Sequence, residues 1–199
     1  MNPSVLAFVA SALTAADVAG KRVVETGALD VNGSAREAVE RLGPASYLGT
    51  DVQDGPGVDL VCTVFDLPSA LGLASADVVV STEMLEHVQD WRAAIRAMVA
   101  VLAPGGVLVL TTRSMGFPYH HPYPGDYWRF SVRAMGSIVK AAGLDVVRCE
   151  PDVPEQPGVL MAARKPPCWD EPPSMDEELA AVVPGPAVRV NGLQGPDWT

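Results

Sequence analysis

Glu25-Thr26-Gly27-Ala28-Leu29-Asp30-Val31-Asn32-Gly33 is the stretch that decides how this chain is read. Lys21-Arg22-Val23-Val24-Glu25-Thr26 reads as a short buried strand, and Gly27 stops it. Ser34 to Leu42 after it puts Ala35, Val39 and Leu42 on one helical face, closed by Gly43-Pro44. A strand that passes through a glycine turn into a helix is the opening unit of an α/β sheet. In open sheets of that kind the ligand sits beyond the carboxyl ends of the strands, where strand order reverses. Gly27 lets the backbone turn tightly against such a ligand. Asp51, closing the next strand (Ala45 to Thr50), supplies a carboxylate that accepts hydrogen bonds from both hydroxyls of a ribose.

The loop also says which nucleotide it suits. The three-glycine fingerprint that seats a pyrophosphate is absent, because Leu29 and Asp30 occupy its middle. A carboxylate there repels a pyrophosphate but attracts an ammonium or a sulfonium.

Outward from this unit the alternation continues. Val58 to Val64 and Asp77 to Ser81 read as strands, and about Val88 to Leu102 as a helix with Trp91, Ile95, Met98, Val99 and Leu102 on one stripe. Pro104-Gly105-Gly106 stops that helix before a strand at Val107 to Thr112. Ser131 is the N-cap of a helix carrying Met135, Ile138, Val139 and Ala142, which Gly143 ends. Leu144 to Cys149 and Val159 to Ala163 follow with no helix between them, as expected of an antiparallel pair at the sheet edge. Before all of these, Asn2 to Ala16 has one apolar helical face. Strands alternating with helices, with apolar runs in place of strict alternation, predict a doubly wound α/β fold whose mostly parallel sheet is covered on both faces.

Bulk properties narrow the setting. The 199 residues suffice for one sizeable core. A net charge of −10 disfavours a nucleic-acid partner. Cys62, Cys149 and Cys168 are an odd number and far apart, which argues against a disulfide framework and a zinc cluster. No apolar run approaches the roughly 18 residues of a membrane span, and the first residues lack the basic leader of a signal peptide. A cytoplasmic setting is expected. The chain divides into a domain at residues 1–164 and a proline-rich acidic tail at 165–199, read as disordered or draped on the surface, with a short helix near Met175 to Val182.

Five marks in order now carry a resemblance. They are Glu25-Thr26-Gly27, Tyr47-Leu48-Gly49-Thr50-Asp51, Asp66-Leu67-Pro68, Ser81-Thr82-Glu83-Met84-Leu85-Glu86-His87 and Leu102-Ala103-Pro104-Gly105-Gly106. Over about residues 20 to 164 the chain resembles class I S-adenosylmethionine (SAM)-dependent methyltransferases of the small-molecule, type-11-like branch. The resemblance implies a seven-stranded Rossmann-like sheet with an antiparallel last strand, and SAM as cofactor. It implies that Gly27 approaches the methionine part of SAM, with Glu25, Ala28, Leu29 and Asp30 as further cofactor-binding residues. Asp51 would bind the ribose, Asp66 and Leu67 flank the adenine, and Thr82 and Glu83 line the floor. The family usually has a further glycine where Leu29 stands.

Methyl transfer from a sulfonium is an in-line displacement, so the protein mainly aligns the acceptor and removes its proton. His87, His120 and His121 are the three histidines and the candidate bases. The segment Arg113 to Phe130 gathers aromatic residues over the mouth of the sheet, and in it Tyr119, Asp126, Tyr127, Trp128 and Arg129 are the candidate acceptor contacts. A magnesium site from His120, His121, Asp126 and Glu83 is disfavoured, because magnesium prefers oxygen ligands; no metal is expected. The expected activity is methylation of a small-molecule acceptor, most plausibly a hydroxyl of a sugar, glycolipid or natural product. Two alternatives stand beside it: an NAD(P)-dependent oxidoreductase, and a non-catalytic accessory protein that keeps the fold. The N-terminal helix is placed equally well to cover the site or to pack on a second copy in a homodimer.

Overall fold

A computed structural model describes residues 2–117 and 125–169. It contains one seven-stranded sheet: β1 (Arg22–Thr26), β2 (Ser46–Asp51), β3 (Leu60–Val61), β4 (Ala76–Thr82), β5 (Leu102–Arg113), β6 (Asp145–Pro151) and β7 (Gly158–Arg164). The strand order is β3-β2-β1-β4-β5-β7-β6. The strands from β3 to β5 pair in parallel, and β7 runs antiparallel between β5 and β6. Strand order reverses between β1 and β4, so the crevice for a ligand opens at Thr26 and Thr82, where those strands end.

Helices cover both faces. On one, α1 (Pro3–Ala12), α2 (Ala15–Val18) and α3 (Arg36–Glu40) bury Val5, Phe8, Val9, Val18 and Val39 against Val23, Val78, Val80, Val107 and Val109. On the other, α4 (Leu67–Leu71), α5 (Trp91–Val101) and α6 (Val132–Ala141) bury Trp91, Ile95, Met98, Met135 and Ile138 against Val79, Leu108, Leu110 and Met161. Consecutive strand residues feed opposite cores, which is why β4 and β5 read as unbroken apolar runs.

Caps fix the helix starts. The Asn2 side chain accepts from Ser4 N at 3.4 Å, with Pro3 in the first turn where no N–H is needed. Asp90 accepts from Ala93 N at 3.0 Å and Ser131 from Ala134 N at 3.1 Å, the latter as expected. No described helix is long and apolar enough to cross a membrane.

Several boundaries differ from the sequence reading. The N-terminal helix breaks at Leu13 and restarts after Thr14, whose hydroxyl donates to Asp17 at 2.6 Å in a competing cap. The third strand shrinks to Leu60–Val61, because Cys62 and Thr63 already lead into a 3-10 turn at Val64–Asp66. β5 begins at Leu102, five residues before expectation. The Pro104-Gly105-Gly106 turn is carried inside the strand as a bulge because the chain beyond β7 pairs with it: Gly105 N donates to Lys165 O at 2.8 Å and Lys165 N to Gly106 O at 2.9 Å. The antiparallel pair is as expected, but only β6 lies at the edge.

Lys165, read as the start of a loose tail, is a buried plug. Its ammonium donates to Val99 O at 2.8 Å and Leu102 O at 2.7 Å, closing the carboxyl end of α5. The expected helix near Met175 to Val182 lies outside the described residues.

Candidate active site

The turn after β1 is built from backbone. Gly27 has φ +78°, and a Cβ there would lie 2.8 Å from Met84 Cβ, so no side chain fits. Four successive amides of the loop are committed to the protein. Gly27 N and Ala28 N donate to Thr50 O at 2.9 and 3.0 Å, Leu29 N to Asp51 Oδ2 at 3.2 Å, and Asp30 N to Pro56 O at 2.8 Å. Dinucleotide loops point such N–H groups at a pyrophosphate. These point away into β2 and the segment after it, and Asp30 stands exposed on the loop.

Asp51 holds the loop with one oxygen and receives Gln53 N on the other, at 3.0 Å. Each carboxylate oxygen keeps a second lone-pair direction, so the group is oriented without being used up. Glu25 is 1 % exposed and accepts the Tyr47 hydroxyl at 2.7 Å. Burial pushes its carboxyl up to about 7, against the opposing pull of the Tyr47 hydrogen bond and the Arg36 charge. Arg36 lies 4.6 Å over the Tyr47 ring, pairs with Asp59, and donates to Gly57 O at 3.0 Å.

Two of the expected adenine residues sit differently. Leu67 is fully buried in the core, and the Asp66 carboxylate caps the 3-10 turn, receiving the Thr63 hydroxyl at 2.6 Å. The apolar side chains exposed beyond β2 and β3 are instead Val52 and Phe65, at 51 % and 47 %. Sequence reasoning passed over both, although a large apolar residue beside each acidic mark was visible.

At the end of β4, Thr82 is buried with its hydroxyl unmatched by any hydrogen bond. Glu83 adopts φ +55°, a left-handed conformation rare outside glycine. Its N–H donates to Thr111 O at 3.0 Å, and its carboxylate receives the Thr111 hydroxyl at 3.0 Å and pairs with Arg113. Backbone strain of this kind is concentrated at functional sites. Glu86, buried behind it, receives the Thr112 hydroxyl at 2.8 Å. Burial raises both glutamates, and for Glu83 the neighbouring charge of Glu86 adds to it.

The segment after β5 leaves the sheet at Arg113 and returns at Phe130. Phe130 N donates to Arg113 O at 2.9 Å, and the Ser114 hydroxyl to Phe130 O at 2.5 Å, so the loop is pinched shut at its base. Phe130 packs edge-on against Trp91 with centroids 6.0 Å apart. Asp126 and Arg129 are buried and face one another, with one contact at 2.5 Å, and this pairing raises the Arg129 guanidinium. Arg113 and Arg129 lie 4.4 and 5.8 Å from the Phe117 ring.

The loop is also tied to the turn after β4. Tyr127 N and Trp128 N donate to Glu86 O at 2.8 and 3.3 Å, and the Trp128 indole donates to Val88 O at 3.0 Å. His87 Nδ1 contacts Gly125 O. A carbonyl only accepts, so that nitrogen carries the proton, and Nε2 faces Glu86 Oε1 at 4.0 Å. Asp126 and Arg129, expected as hydrogen-bonding groups for the acceptor, are thus paired with each other, and the Trp128 indole ties the loop to the turn after β4. Tyr119, His120 and His121 lie outside the described residues.

The structure thus gathers Glu25, Gly27 to Asp30, Asp51, Thr82 and Glu83 around the ends of β1, β2 and β4, with His87 and the residues 125–130 beside them. A shallow cavity of about 210 Å³ lies at the other end of the sheet, lined by Leu73, Arg96, Pro104, Lys165 and Trp169 among others. It is far from this constellation and has no part in it.

A doubly wound sheet with an acidic loop of inward-turned amides at its switch point and a carboxylate closing β2 fits the class I methyltransferase fold. The family model of a methyltransferase domain matches residues 8–148, and the chain belongs to that family; its cofactor is SAM. The oxidoreductase reading falls with that match. Among curated proteins, the ubiquinone biosynthesis O-methyltransferase of Xanthomonas euvesicatoria pv. vesicatoria (strain 85-10) is 36% identical over 126 residues, 56% of this chain and 50% of that protein. The chain thus spans half the length of that relative.

Solved structures share the fold. The 1,6-didemethyltoxoflavin-N1-methyltransferase of Burkholderia thailandensis, with 1,6-didemethyltoxoflavin and S-adenosylhomocysteine bound, superposes with a TM-score of 0.68 at 18% identity, over 81% of this chain and 78% of that one. A SAM-dependent methyltransferase from Mesorhizobium loti gives 0.63 at 19% identity, over 79% and 95%. The [4+2]-cyclase SpnF gives 0.64 at 17% identity, over 81% and 80%, so this fold also serves other chemistry.

Proposed function

We propose that this protein moves the methyl group of SAM to a hydroxyl of a small molecule held under the loop that follows β5. The observation that carries the cofactor half is the inward turn of four loop amides beside an exposed Asp30 and an oriented Asp51. That surface offers acceptors to a cation and to ribose hydroxyls, and little to a phosphate. When bound, SAM supplies a methyl group already activated by its sulfonium. In this reading Gly27 to Asp30, Glu25, Thr82 and Glu83 face its amino-acid part and Asp51 its ribose. Val52 and Phe65 offer the adenine apolar surface, with Asp66 at its edge, while Leu67 is buried in the core.

The protein's own work is alignment and proton removal. Residues 125–128 are tied to the turn at Glu86 to Gln89, so the acceptor is placed beside two elements of fixed relation. Tyr127, with Tyr119 in the part outside the described residues, supplies aromatic surface for the acceptor. His87 is a candidate to receive the acceptor proton, and His120 and His121 are the other candidate bases. The hydroxyl preference is supported by the O-methyltransferase relative and by histidine as a base near neutral pH. Incubation of hydroxylated acceptors with methyl-labelled SAM tests it: label in an ether supports the reading, and label found only on nitrogen or carbon refutes it.

A further inference from the structure

The loop after β1 lacks a glycine at position 29, yet its backbone is packed as tightly as if it had one. The glycines stand across from it. A Cβ on Gly57 would lie 2.5 Å from Ala28 O, one on Gly49 2.0 Å from Gly57 O, and one on Gly55 2.5 Å from Leu29 Cδ1. Asp30 N reaches Pro56 O at 2.8 Å. The far side of the segment is fixed as well. Asp59 N donates to Gly49 O at 2.8 Å, Gly49 N to the Asp59 carboxylate at 2.7 Å, and Arg36 ties Asp59 to Gly57 O.

Resting on the SAM reading above, we propose that Gly55-Pro56-Gly57 is the seat of the cofactor loop, with Gly57 as its positioning residue and Leu29 fitted to the absence of a side chain at Gly55. Bare backbone at Gly55 leaves room for the side chain at 29, and bare backbone at Gly57 leaves room for the Ala28 carbonyl. The loop is then held from outside in the conformation that glycine inside it would merely permit. The conformational freedom that a glycine at position 29 would bring is never introduced, so less entropy is lost when cofactor binds. The prediction is specific to pairs. A methyl at Gly55 meets only the far end of Leu29, and Gly55 has no left-handed φ, so its harm is steric and shortening Leu29 removes it. A methyl at Gly57 meets a main-chain carbonyl at φ +86°, and no side-chain change relieves it.

The test is calorimetric titration of the full chain with S-adenosylhomocysteine, beside thermal melts. Gly55→Ala weakens binding roughly tenfold in the wild-type chain but by less than about twofold in a Leu29→Ala chain, each loss taken against its own parent because Leu29 itself lies in the cofactor loop. Gly57→Ala weakens binding by more than about tenfold in both chains. A merely structural role would lower the melting temperature and leave the affinity of the folded protein unchanged. Wild-type affinity in both glycine variants, or Gly55→Ala unrescued by Leu29→Ala, overturns the proposal. Should Gly57→Ala fail to fold, the Gly55 pair decides alone. A wild-type chain that does not bind S-adenosylhomocysteine refutes the SAM reading itself, a separate outcome.

Discussion

Glu25 is a carboxyl that the fold prefers protonated, and replacing it with glutamine turns that preference into a measurable difference. The side chain is buried, and its value rises from an ordinary 4.5 to about 7, mainly through desolvation. Below pH 4.5 it is protonated in both the folded and the unfolded chain and costs nothing. Between 4.5 and 7 the unfolded chain releases its proton and the folded one retains it, so stability falls as pH rises. Above 7 the full cost is in place, about 3 kcal/mol. Glu25→Gln has the shape of the protonated acid and still accepts from the Tyr47 hydroxyl, but never ionises. Urea unfolding at pH 5 should therefore find the two proteins within about 1 kcal/mol. At pH 8.5 the variant should be more stable by about 2–3 kcal/mol, equivalent to a melting temperature higher by roughly 5–10 °C. Glu83 and Glu86 titrate in both proteins, so the difference isolates position 25. A variant less stable than wild type at pH 8.5, or a difference that does not change with pH, would refute the reasoning. The same ionisation reaches the cofactor. The ammonium of S-adenosylhomocysteine bound at the loop favours the charged carboxylate, so its affinity should rise more steeply from pH 6 to 8 in wild type than in the variant, where Glu83 still titrates.

Other perturbations follow from single contacts. Gly27→Ala combines left-handed strain with a methyl against Met84 and should cost about 2–4 kcal/mol in cofactor binding, read by titration at a temperature where the protein is folded. Lys165→Met leaves the carbonyls of Val99 and Leu102 without their buried donor and should lower stability by about 1–3 kcal/mol, with cofactor affinity unchanged. Arg129→Ala strands the buried Asp126 carboxylate, costs about 3–5 kcal/mol, and releases the loop after β5; kcat/KM for the acceptor should fall more than cofactor affinity. An Arg129→Ala protein as stable as wild type would show that this pair does not organise the loop.

The architecture was legible because its signals are local. Strand alternation, the caps at Ser131 and Gly143, and the order of the acidic marks all lie in short stretches. What escaped depends on residues distant in sequence. Pro104-Gly105-Gly106 reads as a stop until Lys165, about sixty residues on, pairs with Gly105 and Gly106 and makes it part of β5. Lys165 itself reads as the head of a polar tail, since nothing local says that two open carbonyls await it. Asp126 and Arg129 look available for an acceptor, but their spacing also permits the pairing with each other that burial then enforces. Leu29 made no sense within its own loop. It does so against Gly55, a partner on another turn whose Gly-Pro-Gly run was visible but had no assigned use.

The central claim is that the loop after β1, with its amides turned inward, binds an adenosyl amino acid and not a dinucleotide. Parallel calorimetric titrations of the full chain with S-adenosylhomocysteine and with NADH test it most directly. The account predicts saturable one-site binding of S-adenosylhomocysteine, lost on Asp51→Ala, and no heat from NADH; saturable NADH binding, or S-adenosylhomocysteine affinity indifferent to Asp51, would contradict it.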